Sequence, residues 1–401
     1  MTAEELLDEP DRAPARIAEL VVADPDATTG AGSGALERRD DLTARAESYA
    51  RGARAEKTWA AYERQWARFE SWCQDAGEAA LPAAPLTVVR FLADLAPAWR
   101  PATPADPPTT VNAGQVRERD GLRPGTLAGY LAAISVVHQT AGLDNPTRAE
   151  AVRRTMAGIR RHPGVAPPQP RAAARRDPLV ALLQTLRPDE HLADARDAAL
   201  LLIGWKAALR TDDLARLRMD DLHATEQGLS VFVRRSKTDQ TGHGTTLGVA
   251  APTRTGPTTR VETQDEAAGD GEGEGAGEES GLLDAGAAWV RWRNLLGAHG
   301  ILEGPAWRGI DRYGRRPRAG GLHRNSIAGI ITRRAAAAGL DDADRWGGHS
   351  LRRGFATEAI AAGVPERDVQ RHGRWRSRAS MDPYIDAART FDATNPTHWL
   401  S

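Results

Sequence analysis

The chain has 401 residues, enough for two domains on the usual size prior, and 41% of them are hydrophobic and 27% charged. That balance permits a sizeable core and excludes collagen-like, wholly disordered and membrane-spanning chains, since no apolar run reaches the roughly 18 residues of a membrane helix. The formal charge of −1 conceals segregation: residues 1–44 carry a net −7, residues 262–284 a net −9, and the remainder +15.

Taken in chain order, residues 1–44 are rich in Ala, Asp, Glu and Gly and read as a disordered acidic tail. Glu4, Glu5, Asp8 and Glu9 leave no basic start for a secretory signal, so none is expected. Ordered sequence begins near Ala46. Trp59, Tyr62, Trp66, Phe69 and Trp72 recur at helical spacing, which predicts an amphipathic helix of about five turns with its aromatic stripe in the core. Cys73 is the only cysteine. It excludes an intrachain disulfide and a cysteine-rich zinc site, and it fits a reducing cytoplasm. Val88, Phe91, Leu92 and Leu95 mark a second helix after Pro85, and residues 97–124 read as a long loop. Leu127, Tyr130, Leu131, Ile134 and Val137 mark a third helix, and residues 151–159 a fourth. Four helices without a strand signal predict a small helical domain over 45–162.

Residues 163–177 are Pro-rich and carry Arg171, Arg175 and Arg176, which reads as a semi-extended linker. A second domain, residues 178–401, then opens with Asp177 as N-cap and Pro178 as first helical residue. Helices are expected over 178–186 and 192–208. Leu229 to Val233 reads as a strand, followed by the turn-rich Asp239–Gly244 and a second strand at 245–250, a hairpin. Residues 253–281 form an acidic, Gly-rich surface insertion. Helices return at about 284–298, 324–338, 350–362, 365–371 and 381–388. The fold class is therefore mainly α with a small β-hairpin or sheet.

Only three of the 53 basic residues, Lys57, Lys206 and Lys237, are lysine. Arginine offers phosphate a planar fork of donors, and a basic body with acidic flanks fits a polyanion, most simply double-stranded DNA. Arg234, Arg235, Arg312, Arg315, Arg316, Arg318 and His372 are candidate contacts to the DNA backbone, with a structural role for His372 the alternative. The acidic stretch 262–284 is expected to point away from a duplex.

Single residues carry weak signals. Arg210 follows an apolar helix, Lys237 sits near the end of a strand, and Tyr384 lies close to the C-terminus. Their order is more informative: Ala208-Leu209-Arg210-Thr211-Asp212-Asp213-Leu214, then Lys237, then Gly348-His349-Ser350-Leu351-Arg352-Arg353-Gly354, then Gly373-Arg374-Trp375-Arg376-Ser377, and Tyr384 nine residues after Trp375. This series resembles the tyrosine recombinase, or phage integrase, family over about residues 46–390. Its specific motifs lie in the second domain. The helical first domain matches the family's core-type DNA-binding domain by position and pattern.

The resemblance implies a catalytic set of Arg210, Lys237, His349, Arg352, Trp375 and Tyr384, with Asp213 orienting Arg210 or His349. Tyr384 would attack the scissile phosphate and form a 3′-phosphotyrosyl link with a free 5′-hydroxyl. A phenol, with its usual pKa of about 10, needs cationic neighbours as a nucleophile, and it leaves readily when the strand is resealed. Arg210 and Arg352 would hold the non-bridging oxygens, Lys237 would protonate the 5′-oxygen, His349 would share the tyrosine proton, and Trp375 would buttress the site. No metal or other cofactor is expected. The family assembles as a homotetramer on two synapsed DNA sites, and two lobes joined by a basic linker could close around a duplex. The expected role is site-specific recombination for a mobile element, in the cytoplasm at the nucleoid, with no membrane partner. A type IB topoisomerase-like relaxing enzyme and a catalytically silent DNA-binding relative remain open on the sequence.

Overall fold

The computed structural model describes residues 41–42, 45, 48–49, 56–97, 121–161, 170–234, 244–252 and 281–390. The acidic tail and the insertion at 253–281 lie outside them, apart from Asp41, Leu42 and Gly281. So do Arg235, Lys237 and residues 98–120 of the expected loop. The chain divides into two compact units, residues 1–168 and 169–401.

In the first unit, α1 (Glu56–Ala76), α2 (Pro85–Leu95), α3 (Pro124–Thr140) and α4 (Glu150–Arg161) form the helical body, with a 3-10 turn at Pro146–Arg148 before α4. Pro85 and Pro124 sit at helix starts, where the missing N–H is harmless. The predicted aromatic stripe packs inward in part: Phe69 is fully buried, 5.0 Å from Phe91, and Phe91 is 5.5 Å from Tyr130. Edge-to-face contacts of this kind add to the burial of apolar area. His138 is the one histidine among the described residues that is fully buried. Its Nδ1 lies 2.8 Å from the Ile134 carbonyl and its Nε2 accepts the Ala83 N–H at 2.9 Å. Burial holds its pKa below the usual 6.5, against that carbonyl bond, so the ring is neutral at pH 7.

The second unit begins earlier than expected. Residues 170–175 run along a later helix, α10 (Gly348–Ala361). The Ala174 N–H donates to the Ser350 carbonyl at 3.0 Å, and Arg175 pairs with Glu358 at 2.9 Å. The first helix, α5 (Arg176–Gln184), has Arg175 and not Asp177 at its N-cap, so Pro178 falls within the first turn. The helices α6 (Leu192–Lys206), α7 (Thr211–Arg216), α8 (Ala285–Ala298), α9 (Arg324–Ala337), α11 (Glu366–Gly373) and α12 (Asp382–Arg389) complete the helical set with α10.

The expected hairpin is part of a three-stranded antiparallel sheet, β1 (Leu222–Thr225), β2 (Gly228–Val233) and β3 (Thr245–Ala250), in that order. A second antiparallel pair, β4 (Arg308–Ile310) and β5 (Pro317–Gly321), was not anticipated. The core is built on Leu200, Leu201, Ile203, Trp289, Trp292, Trp307 and Leu351. Each buried indole N–H has a carbonyl acceptor: Trp289 uses Leu222, Trp292 uses Ala306 and Trp307 uses Leu214. A buried indole without such a partner would be costly, and the Trp307 bond also fixes the end of α7. Among the described residues no helix is long and apolar enough to cross a membrane.

Candidate active site

Four separate segments bring the predicted residues together. Arg210 occupies the N-cap position of α7 without capping it, so its side chain is free to turn into the site. Arg352 lies one turn into α10, on the same face as His349. Trp375 follows α11, and Tyr384 is in the first turn of α12. Gly348 lets α10 meet α7: a Cβ there would stand 1.8 Å from the Thr211 hydroxyl oxygen. Gly373 does the same for Trp375, whose ring would lie 1.6 Å from an added Cβ.

Arg352 is 3% exposed. Its Nη1 donates to the Ala208 carbonyl, and its guanidinium carbon sits 3.9 Å from the centre of the Trp375 ring. The Trp375 ring in turn lies 5.7 Å from the Tyr384 ring, tilted by 58°. Arg353 covers that phenol ring at 5.9 Å. The Arg210 Nη2 makes a long hydrogen bond of 3.4 Å to the Arg374 carbonyl, and its Nη1 is 3.7 Å from Asp213. Both arginines therefore rest on main-chain oxygens, and both oxygens belong to residues in left-handed backbone, Ala208 at φ 47° and Arg374 at φ 58°. Only one other non-glycine described residue, Asp342, has a positive φ. Strained backbone of this kind concentrates at functional sites.

The electrostatics follow from this packing. Burial, then Arg210 and Arg374, draw the Arg352 pKa down to about 9, with Tyr384 and Asp213 opposing. Arg374 is shifted down by burial and by Arg210, against Asp213. Asp213, 4% exposed, is shifted upward because burial outweighs its four arginine neighbours, Arg374 first, then Arg210, Arg352 and Arg216. Arg210 Nη1, Arg352 Nη2 and all three side-chain nitrogens of Arg374 are buried without a hydrogen bond. Three cations facing one carboxylate leave the pocket positive, a setting that favours a phosphate-like anion.

The structure thus gathers Arg210, Asp213, Arg352, Trp375 and Tyr384. His349 is exposed on the first turn of α10. Lys237 lies outside the described residues. Asp213 was expected to serve Arg210 or His349, but its nearest cation is Arg374, at 3.4 Å. Arg374 was missed as a functional residue. It stands inside the motif around Trp375, yet nothing in the sequence reveals its left-handed backbone.

The expected DNA-contacting residues divide. Arg234 is bound to Asp220 and Asp221, at 2.6 and 2.7 Å. His372 has its Nε2 on the Lys206 carbonyl at 2.7 Å and its ring stacked on Phe355, a packing role. Burial pulls its pKa down, against that bond and with Arg374 adding to the pull. Arg312, Arg315 and Arg316 are exposed at the tip joining β4 and β5, where Arg312 stacks on Tyr313 at 4.6 Å, and Arg318 is exposed on β5.

Residues 311–390 match the model of the phage integrase family. That span holds His349, Arg352, Trp375 and Tyr384 in the order and spacing just described. Residues 311–390 thus carry a phage integrase domain, which supports a tyrosine recombinase. The chain is 29% identical over 364 residues to an integrase/recombinase xerD homolog of Selenomonas ruminantium, covering 89% of each chain. It is 25% identical over 299 residues to recombinase cre of Escherichia phage P1, covering 72% of this chain and 77% of that one. Among solved structures, it aligns with a post-cleavage complex of the XerH site-specific recombinase on its palindromic difH substrate. The identity is 14%, the TM-score 0.48, and the coverage 86% of this chain and 78% of the other.

Proposed function

We propose that this protein is a site-specific DNA recombinase that cuts and reseals double-stranded DNA through Tyr384, in the service of a mobile element. The observation that carries this reading is the convergence of Arg210, Arg352, Trp375 and Tyr384, from four segments, on one positively charged pocket. In the forward step the Tyr384 phenol oxygen bonds to the scissile phosphorus and the bond to the 5′-oxygen breaks. The phenolic proton passes to His349 or to solvent. Lys237 gives the leaving 5′-oxygen its proton, and the strand is held as a 3′-phosphotyrosyl ester. Attack by a 5′-hydroxyl of the partner duplex reverses the sequence and frees Tyr384. Arg210 and Arg352 neutralise the non-bridging oxygens as charge builds on the phosphorane, while Trp375 fixes the plane of Arg352.

In this reading residues 178–401 form the catalytic domain and residues 45–162 a core-type DNA-binding domain. Arg312, Arg315 and Arg316 touch the phosphate backbone. Four copies act on two synapsed sites, in the cytoplasm. The test is a covalent adduct on denaturing gels with nicked duplexes, which trap the cleaved state. Wild-type protein is expected to form it and Tyr384→Phe to form none. An adduct that persists in Tyr384→Phe, or none in the wild type, overturns the reading.

A further inference from the structure

Arg374 is closely confined yet leaves its donors unused. The Arg374 side chain is 8% exposed, and its Nε, Nη1 and Nη2 make no hydrogen bond. The residue also holds a left-handed conformation, φ 58° and ψ 45°, at the C-terminus of α11. Glycine adopts that conformation freely, whereas an L-residue pays for it. A long cationic side chain in a position suited to glycine calls for a reason beyond the turn itself.

The reason lies in Asp213. Its Oδ2 makes no hydrogen bond and stands between two guanidinium groups, 3.4 Å from Arg374 Nη1 and 3.7 Å from Arg210 Nη1. Arg352 and Arg216 are its remaining cationic neighbours. A carboxylate inside a protein attracts a nearby arginine strongly, and the preferred outcome is a fork-to-fork pair that uses up the arginine's donors. With Arg374 present, Asp213 is shared and Arg210 is not closed into such a pair. Without Arg374, Arg210 is the nearest cation left, and its fork turns from the phosphate to the carboxylate.

We propose that Arg374 is a positioning residue that shares Asp213 with Arg210 and so keeps the Arg210 guanidinium open to the scissile phosphate. This rests on the recombinase reading of the same pocket. Because the Arg374 nitrogens are themselves covered, the residue acts through Asp213 and Arg210 and does not touch DNA.

The test uses the full-length protein and a pool of nicked duplexes with randomised cores, from which covalent adducts are recovered. Arg374→Gly deletes the charge and suits the left-handed backbone. It is expected to melt at or above the wild-type temperature yet to form adduct about 10- to 100-fold more slowly, the scale of a misplaced catalytic group. Arg374→Lys is expected to recover part of the rate. The variant combining Arg374→Gly with Asp213→Asn is expected to cleave faster than Arg374→Gly alone, because the carboxylate that captures Arg210 is gone. A glycine variant that cleaves at the wild-type rate overturns the inference, as does a double variant slower than the single one. A glycine variant that fails to fold overturns it too, since an architectural role is then the simpler account. A wild type that forms no adduct points instead to failure of the recombinase reading, and the inference falls with it.

Discussion

The second unit contains two buried clusters of arginine and aspartate, and they are built in opposite ways. In the first, Asp197 on α6 pairs with Arg196 at 2.7 Å and with Arg334 on α9 at 2.7 Å, and Arg334 also pairs with Asp194. Two cations meet two anions, and none of their buried side-chain atoms is left without a hydrogen bond. Burial works against the charge of Arg334, but Asp197 and Asp194 outweigh it and raise its pKa. In the second, three arginines share Asp213, several donors are unmet, and the pKa of Arg352 falls to about 9. The same residue types thus build a strut in one place and a receptor for an anion in the other. The difference lies in whether the protein supplies the counter-charge itself.

That contrast can be broken by mutation. Asp197→Ala leaves two buried arginines without their shared partner and is expected to destabilise the fold by about 3–5 kcal/mol, read as a fall in melting temperature. Equal melting points for Asp197→Ala and wild type would erase the distinction. Arg352→Ala is expected to do the reverse. Its melting temperature should hold or rise, while adduct formation falls about 100- to 1000-fold, the usual cost of removing a transition-state donor. Arg210→Ala should behave alike, measured in the same two assays.

Acid acts on two histidines outside both clusters. His138 and His372 have folded-state pKa values below the usual 6.5, so both are neutral when folded. As pH falls below about 6.5 the unfolded chain takes up protons that the folded chain refuses. Stability is therefore full above that pH and drops below it, by up to about 1.4 kcal/mol per pH unit for each histidine. Chemical denaturation at pH 7.5 and 5.5 checks the sign, and His138→Gln should flatten the dependence. The smallest expected effect is stabilisation by inorganic phosphate. At a few times its dissociation constant it should add about 1 kcal/mol to the wild type and less to Arg352→Ala, at equal ionic strength.

Much of this was legible in the sequence, for physical reasons that vary by element. The helices declared themselves because apolar residues recur at their spacing, as Val88, Phe91, Leu92 and Leu95 do on α2. Arg210, Arg352, Trp375 and Tyr384 were legible because their order and intervals are specific. By contrast β1 buries only Leu222, its first residue. The sequences of β4 and β5, Arg-Gly-Ile and Pro-Arg-Ala-Gly-Gly, have no apolar alternation at all. The pairing of Arg234 with Asp220 and Asp221 depends on how the sheet closes, and the place of Arg374 depends on one backbone torsion. Neither leaves a trace in residue spacing.

The two oxygens that hold Arg210 and Arg352 come from the main chain, at Arg374 and Ala208. Every residue has such an oxygen, so no exchange of side chains during descent can delete these footholds. At 208 the twist of the chain is the whole requirement, whereas at 374 the twist and the side chain are both in use. A side chain other than alanine at 208 would leave the grip on Arg352 in place so long as the backbone kept its turn.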